Sequence, residues 1–515
     1  MDVTWYSYLI PFLTLYFTSN GQTSAEKLSK SRDGQSAKQP KPKLLLISLA
    51  GFRGDYITRI NCSNLQQFVA DGTSASYVQN SINVASIANH YTIATGLYSE
   101  SHGIIANTMF DPKLNRVFNS KTRADPEWWT NVHPIWQEIG KQGQGLSALC
   151  HWPGVYGPMV SRLQCGRRKS SKSDIDQALQ WLKNGVKLVL LYSDGIKKAA
   201  LKWGPYSLQA INEVKKFDSI LKYLMEKTRE LNVNIVLTSD GGVTDLKWDH
   251  VIDLDRCIVP SSYVLIQAQA TLLLYPKQGY TAVEIHKNLT KCTHIKTYLK
   301  ENLPSHFHFT HNLRIPPVIA FVPLGSVVRS GKSVHRNINE ILNGSLGFQK
   351  DMGGSGFHPG YEVMRGVFYA DGPSFRSGLK YGAINNTDIY GLMCTILNIT
   401  PRPSNASFAV VKSMLKSTNF GVNPNTSPTR KNRPIATFPP TKRIKGYSRN
   451  HGLLGDLELR GFLIFVACCV GLMILLCCIG CLYSMTKNMQ GEFKGKASVY
   501  PPLLSTDLTS SDEDY

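Results

Sequence analysis

Short apolar runs alternate along the chain with segments whose apolar residues recur every three or four positions. Order begins at Lys43 with LLLISLA (44–50), which ends against the turn residues Gly51 and Gly54. Similar strand-like runs follow at VKLVLLY (186–192), NVNIVLTSD (232–240), SSYVLIQAQATLLLY (261–275) and VIAFVPL (318–324). Between them, DIDQALQWLKNG (174–185) sets Ile175, Ala178, Leu179 and Leu182 on one helical face. The segment 211–231 does the same with Val214, Phe217, Ile220, Leu221 and Leu224. Strands alternating with helices predict an α/β fold, a mostly parallel sheet flanked by helices on both faces. Such sheets carry their sites beyond the C-terminal ends of the strands. Chemistry is therefore expected just after Leu49, Tyr192 and Ser239.

The two ends follow a different pattern. Residues 461–483, GFLIFVACCVGLMILLCCIGCLY, run for 23 positions without a charge and are followed by Lys487, Lys494 and Lys496. As a helix this segment would span roughly 30 Å of hydrocarbon, which predicts a transmembrane helix with a cytoplasmic tail at 484–515. The tail closes on the acidic SSDEDY, which a cytosolic partner could read. At the other end, an apolar stretch from Trp5 to Phe17 leads into TSNGQTSA, the pattern of a signal peptide over 1–25. Its first residues lack Lys and Arg, so an uncleaved anchor is the alternative. Residues 26–42 read as a basic linker and 416–460 as a proline-rich, basic juxtamembrane stalk. That leaves 43–415 as a folded ectodomain, extracellular or lumenal, of a single-pass type I protein of the cell membrane.

Composition changes this picture at three points. The 515-residue chain carries 57 Lys and Arg against 36 Asp and Glu, a net charge of +21. So basic a chain suggests a nucleic-acid binder. Seven of those charges sit in the stalk (Arg430, Lys431, Arg433, Lys442, Arg443, Lys445, Arg449), facing lipid heads or anionic glycans, and no nucleic-acid partner is expected. Of eleven cysteines, five lie in the span or at its inner edge. The remaining Cys62, Cys150, Cys165, Cys257, Cys292 and Cys394 are compatible with three disulfides of undetermined pairing. Seven N-x-S/T sites, at Asn61, Asn288, Asn343, Asn385, Asn398, Asn405 and Asn425, all precede the span and predict a glycoprotein.

Six phrases carry the strongest signal: LLLISLAGFRGDY (44–56), SIANHYTIATGLYSESHGIIANTMFDP (86–112), HWPG (151–154), LTSDGG (237–242), GSGFH (354–358) and GPSF (372–375). Together they resemble the ectonucleotide pyrophosphatase/phosphodiesterase family of the alkaline-phosphatase superfamily, over roughly 43–412, and in particular its single-pass type I members. The resemblance implies an alkaline-phosphatase-like sheet. In active members it implies two zinc ions held by six Asp and His ligands, with a threonine nucleophile. Such a hydroxyl attacks phosphorus only once a metal has made it an alkoxide. The second metal and nearby hydrogen-bond donors take up charge on phosphate oxygens and the leaving group.

Position by position, the resemblance breaks at the metals. The family's LDGFR reads LAGFR, so Ala50 replaces an aspartate ligand. TFPNHY reads SIANHY, which puts Ser86 at the nucleophile, and Asn107 matches the asparagine that donates to a phosphate oxygen. Counted back from Gly204-Pro205, Lys197 falls on an aspartate ligand and Leu201 on a histidine ligand. TSDHG reads TSDGG, keeping Asp240 and replacing histidine with Gly241, and the last ligand survives as His358. Two ligands of six remain, one for each ion, and a methyl, an ammonium, an isobutyl group and a hydrogen cannot supply the rest. No bound zinc is therefore expected. Lys197 is instead expected to sit where a metal sat and to pair with Asp240, a buried carboxylate that needs a partner. Asp55, Asp194, Asp245, Asp249 and His250 are the residues nearby that could replace a ligand, against the simpler reading that they cap turns or face solvent. The resemblance also implies a Cys257–Cys292 disulfide and places Trp152 in a loop beside the substrate.

Three functions follow. The first is an inactive or strongly impaired phosphodiesterase homologue with a binding role, whose ligand is a nucleotide or another anion drawn by Lys197, Lys198 and Lys202. The alternative is a metal-dependent nucleotide pyrophosphatase/phosphodiesterase using Ser86. The third, compatible with the first, is a membrane receptor or organiser acting through its tail.

Overall fold

The computed structural model describes residues 42–416, apart from 81, 83–85, 130–131, 156–162, 167–169, 248, 269, 293 and 331–351. The signal peptide, basic linker, nearly all of the stalk, the 461–483 span, the tail, Asn343 and Asn425 lie outside the described residues. Among the described residues no helix is long and apolar enough to cross a membrane.

Twelve strands and seven helices carry the argument. In chain order they are β1 Lys43–Leu49, α1 Ser63–Asp71, β2 Thr73–Ala75, α2 Ser86–Thr95, β3 Ser147–Cys150, β4 Leu163–Gln164, α3 Ser171–Lys183, β5 Leu188–Ser193, α4 Gly195–Trp203, α5 Leu208–Thr228 and β6 Val233–Thr238. They continue with β7 Tyr263–Ala268, β8 Thr271–Pro276, α6 Ala282–Leu289, β9 Lys296–Leu299, β10 Val318–Phe321, β11 Phe368–Asp371, β12 Leu379–Tyr381 and α7 Asp388–Leu397.

The main sheet has eight strands in the order β12-β2-β11-β6-β1-β5-β3-β4. Every pairing is parallel except the two made by β11, with β6 and with β2. Central β1 is apolar on both faces because both are covered. Leu44 and Leu46 enter a core with α2 and α7, while Leu45, Ile47 and Leu49 enter another with α1, α3 and α5. This is the doubly covered α/β sheet that the alternating runs predict.

The run at 261–275 is a departure from that reading. It folds into the hairpin β7–β8 and, with β9 and β10, forms a separate antiparallel sheet, ordered β7-β8-β10-β9, over α6. The 318–324 run belongs to this second sheet as well. The cysteines also depart from expectation. Cys257 pairs with Cys292, as the resemblance implies, and Cys150 pairs with Cys165, but Cys62 and Cys394 are free and buried. Cys62 belongs to the core on one face of the main sheet and Cys394 to the core on the other, so no bond can join them. Of the described sequons, Asn61, Asn385, Asn398 and Asn405 are exposed and Asn288 is partly exposed.

Candidate functional site

Three neighbouring parallel strands deliver the site. Past β1 the chain turns through Ala50 and Gly51, past β6 it turns through Ser239, Asp240, Gly241 and Gly242, and past β5 it enters α4 through Asp194. A single bridge between Gly51 and Gly242 extends the ladder, and the Gly51 amide faces a carboxylate oxygen of Asp240 at 3.4 Å. Gly51 has φ +73°, and a Cβ there would lie 2.8 Å from the Lys197 Cα. Only glycine lets the first turn of α4 approach so closely.

That approach brings Lys197 to Asp240. The Lys197 ammonium donates to Asp240 Oδ2 at 3.1 Å and to Ser86 Oγ at 3.0 Å, and the Ser86 hydroxyl donates to the same Asp240 oxygen at 2.5 Å. Asp240 is fully buried, and the Lys197 side chain is 13% exposed. Burial alone would raise the Asp240 carboxyl; Lys197 and the Ser86 hydroxyl outweigh it and hold the group below the ordinary carboxylate range. The pair is thus a charged, desolvated one with its hydrogen bonds made.

Ser86 opens α2. The next amide, Ile87 N–H, donates to Asn107 Oδ1 at 3.1 Å, so this exposed asparagine satisfies one of the first-turn donors. One turn on, His90 is wholly buried. Its Nδ1–H donates to the Ser86 carbonyl, and Nε2 accepts from the Ser48 hydroxyl on β1 at 2.7 Å. Burial, then Lys197, lowers its pKa against the pull of Asp240, which fits a neutral ring pinning the helix start to the sheet. Trp152 and Tyr192 stand edge-on to that ring at 4.8 and 5.0 Å. Trp152 is 4% exposed and belongs to the core, which leaves little of it for a ligand to touch.

The other positions are apolar or occupied. Ala50 is fully buried. Leu201 packs with Ala200, Ala210 and Val243. Gly241 has φ +123°, a backbone that L side chains rarely adopt. His358 sits among Phe321, Phe307 and Tyr361, with ring centroids at 4.9, 5.3 and 6.2 Å, and its Nδ1 accepts from the Gly360 amide at 3.0 Å. Burial, with Lys296 and His306 adding repulsion, lowers its pKa. Three of the suggested replacements have partners elsewhere. Asp55 binds Arg53 at 2.7 Å and accepts from Tyr206, Asp194 pairs with Lys198 at 3.3 Å, and Asp249 stands beside His250 at the surface.

Residues 44–347 match the type I phosphodiesterase / nucleotide pyrophosphatase family. The chain belongs to this family. It is 33% identical over 398 residues to the human bis(5′-adenosyl)-triphosphatase ENPP4, covering 75% of this chain and 84% of that one. To human ectonucleotide pyrophosphatase/phosphodiesterase family member 5 it is 30% identical over 406 residues, 75% of this chain and 81% of the other. Among solved structures it is similar to murine ENPP5, also as an inactive threonine-to-alanine variant in complex with AMP. The TM-score is 0.66 at 29% identity, over 73% of this chain and all of that one. The donors present do not fit the two zinc ions that active members of the phosphodiesterase family hold. Neither Asp240 nor His358 joins any group of three ligand-bearing side chains among the described residues. The one such group lies elsewhere, at Cys150, His151, Cys165 and Asp174, with its two cysteines joined. Sequence reasoning missed that cluster and the His90–Ser48 anchor; the sequence spacing of either set carries no motif.

Proposed function

We propose that this phosphodiesterase-family chain is a catalytically inactive or strongly impaired homologue, held at the cell membrane by one C-terminal span with its glycosylated domain outside, and that it acts by binding. The observation that carries this reading is the Lys197 ammonium, which hydrogen-bonds both the Ser86 hydroxyl and the Asp240 carboxylate. A fixed ammonium supplies one charge where a zinc ion supplies two, and it offers no open coordination position for a phosphate oxygen. Four of the six ligand positions implied by the family, Ala50, Lys197, Leu201 and Gly241, cannot hold zinc, so a metal-bound alkoxide at Ser86 is not formed.

The ligand class is a nucleotide or another anion, with membrane lipid around the span and a cytosolic partner at the acidic tail. An inactive variant of murine ENPP5 was solved in complex with AMP, which supports adenine nucleotides as the first compounds to try. The Ser86–Asp240 contact of 2.5 Å favours one competing reading, a hydrolase that still uses Ser86. The test is release of nitrophenol from the nitrophenyl ester of thymidine monophosphate, with and without added zinc, beside calorimetric titration with AMP. The proposal expects binding or no response, and no metal-dependent release. Release that zinc stimulates and Ser86→Ala abolishes would establish the competing reading.

A further inference from the structure

We propose that Cys150, His151, Cys165 and Asp174 form a latent zinc site, closed while the two cysteines are bonded and opened by reduction. The four ligand atoms all lie within 4.8 Å of one another. Tetrahedral zinc, with bonds of about 2.3 Å to sulfur and 2.0–2.2 Å to nitrogen or oxygen, sets its ligand atoms about 3.3–3.8 Å apart. Only small side-chain shifts separate the two arrangements.

The backbone holds the set together without the disulfide. β3 and β4 are parallel neighbours, with Ala148 opposite Leu163 and Leu149 opposite Gln164. The Cys165 amide donates to the Leu149 carbonyl at 3.1 Å, and the two cysteine Cα atoms lie 4.8 Å apart at the end of this ladder. When the S–S bond breaks, the ladder still presents both sulfurs to the same point. Asp174, 5% exposed, stands in the first turn of α3, which a reciprocal Ser170–Ser173 capping box fixes. His151 adopts φ +56°, uncommon for a residue with a Cβ, and its Nε2 lies 3.3 Å from Asp174 Oδ1. The left-handed turn directly after Cys150 thus turns the imidazole toward Asp174.

Two thiolates, an imidazole and a carboxylate suit zinc and disfavour magnesium or calcium, which take oxygen ligands. The chemistry balances with a trialkylphosphine as reductant. The phosphine and one water convert the disulfide to two thiols and a phosphine oxide. Zinc then displaces the two thiol protons to form two Zn–S bonds. Disulfide and metal are therefore alternative occupants of one set of side chains.

The test uses the purified full chain in detergent and Co²⁺ as the probe. After phosphine reduction, one cobalt per chain is expected, with thiolate-to-cobalt charge-transfer and tetrahedral visible bands that zinc abolishes. The oxidised chain gives none. His151→Ala and Asp174→Asn each weaken uptake at least about tenfold, the scale set by losing even an outer-shell partner. The Cys150→Ser/Cys165→Ser variant loses the bands, and Cys257→Ser/Cys292→Ser keeps them. No uptake on reduction, uptake unchanged by His151→Ala, or bands that follow Cys257 and Cys292 would each overturn the proposal. The His151→Ala arm decides the matter even where the double serine variant fails to fold.

Discussion

The two halves of the metal centre that the family resemblance implies are filled differently in this chain. Around Asp240 the cation is an ammonium, which keeps the buried carboxylate charged and hydrogen-bonded. Around His358, aromatic rings and a backbone amide surround the imidazole, and Leu201 packs into an apolar cluster. The difference follows from what each residue costs without a metal beside it. A buried carboxylate without a cation is expensive, so Asp240 requires Lys197. A histidine needs only to stay neutral, and burial arranges that.

The largest effect is expected on breaking the first half. Lys197→Met leaves a fully buried, unpaired carboxylate and should lower stability by about 3–5 kcal/mol in denaturant unfolding. Adding Asp240→Asn should recover most of that loss, whereas His358→Ala should show no coupling to Lys197. A comparable loss in the double variant would mean that the pair is not what holds this region together.

Zinc uptake sharpens the contrast. Lys197→Asp with Leu201→His restores the aspartate and histidine that the family resemblance groups with His358, and should bind one zinc per chain by elemental analysis. Ala50→Asp with Gly241→His should bind none, because position 241 has settled at φ +123° and Lys197 still fills the space. Stoichiometric zinc in the second variant would show that the backbone there has not diverged.

Ser86→Ala removes hydrogen bonds to Lys197 and Asp240 and should cost about 1.5–3 kcal/mol, the range for bonds to charged groups. Background ester hydrolysis should not change. A parallel fall in hydrolysis would return Ser86 to a nucleophilic role.

The smallest effects are in pH. Asp240 has a lowered native pKa, so its contribution to stability is present above about pH 4 and lost as pH falls through its native value. His358, also lowered, stays neutral below the usual range; its contribution is full above about pH 6.5 and lost as pH falls through its native value. Stability measured against pH should therefore lose a shallow step below about pH 6.5 in His358→Ala and a more acid step in Asp240→Asn. An imidazole NMR resonance of His358 titrating above pH 6.5 would contradict the packing described for it.

Much of this was legible from residues alone. The two-faced apolar run of β1, the helical spacing of α3 and α5, and the loops beyond three strands all stand where the pattern placed them. Counting from Gly204-Pro205 put Lys197 on a ligand position, and electrostatics alone then paired it with Asp240. The hairpin β7–β8 was illegible because no Gly, Pro, Asn or Asp marks its turn, so a largely apolar run reads as one strand. The surroundings of His358 come from residues near 307 and 321, and the separation of Cys62 from Cys394 depends on which sheet face each occupies. Sequence periodicity reports a residue's own element, not the distant one packed on it.

The most direct test of the account is the zinc content of the oxidised full chain, purified in detergent and dialysed against trace zinc, by elemental analysis. The account predicts no stoichiometric zinc, since Lys197 occupies one half, His358 joins no group of ligand-bearing side chains among the described residues, and the Cys150–Cys165 site is closed. One or two tightly held ions, lost on Asp240→Asn or His358→Ala, would contradict it and restore a metal to Ser86.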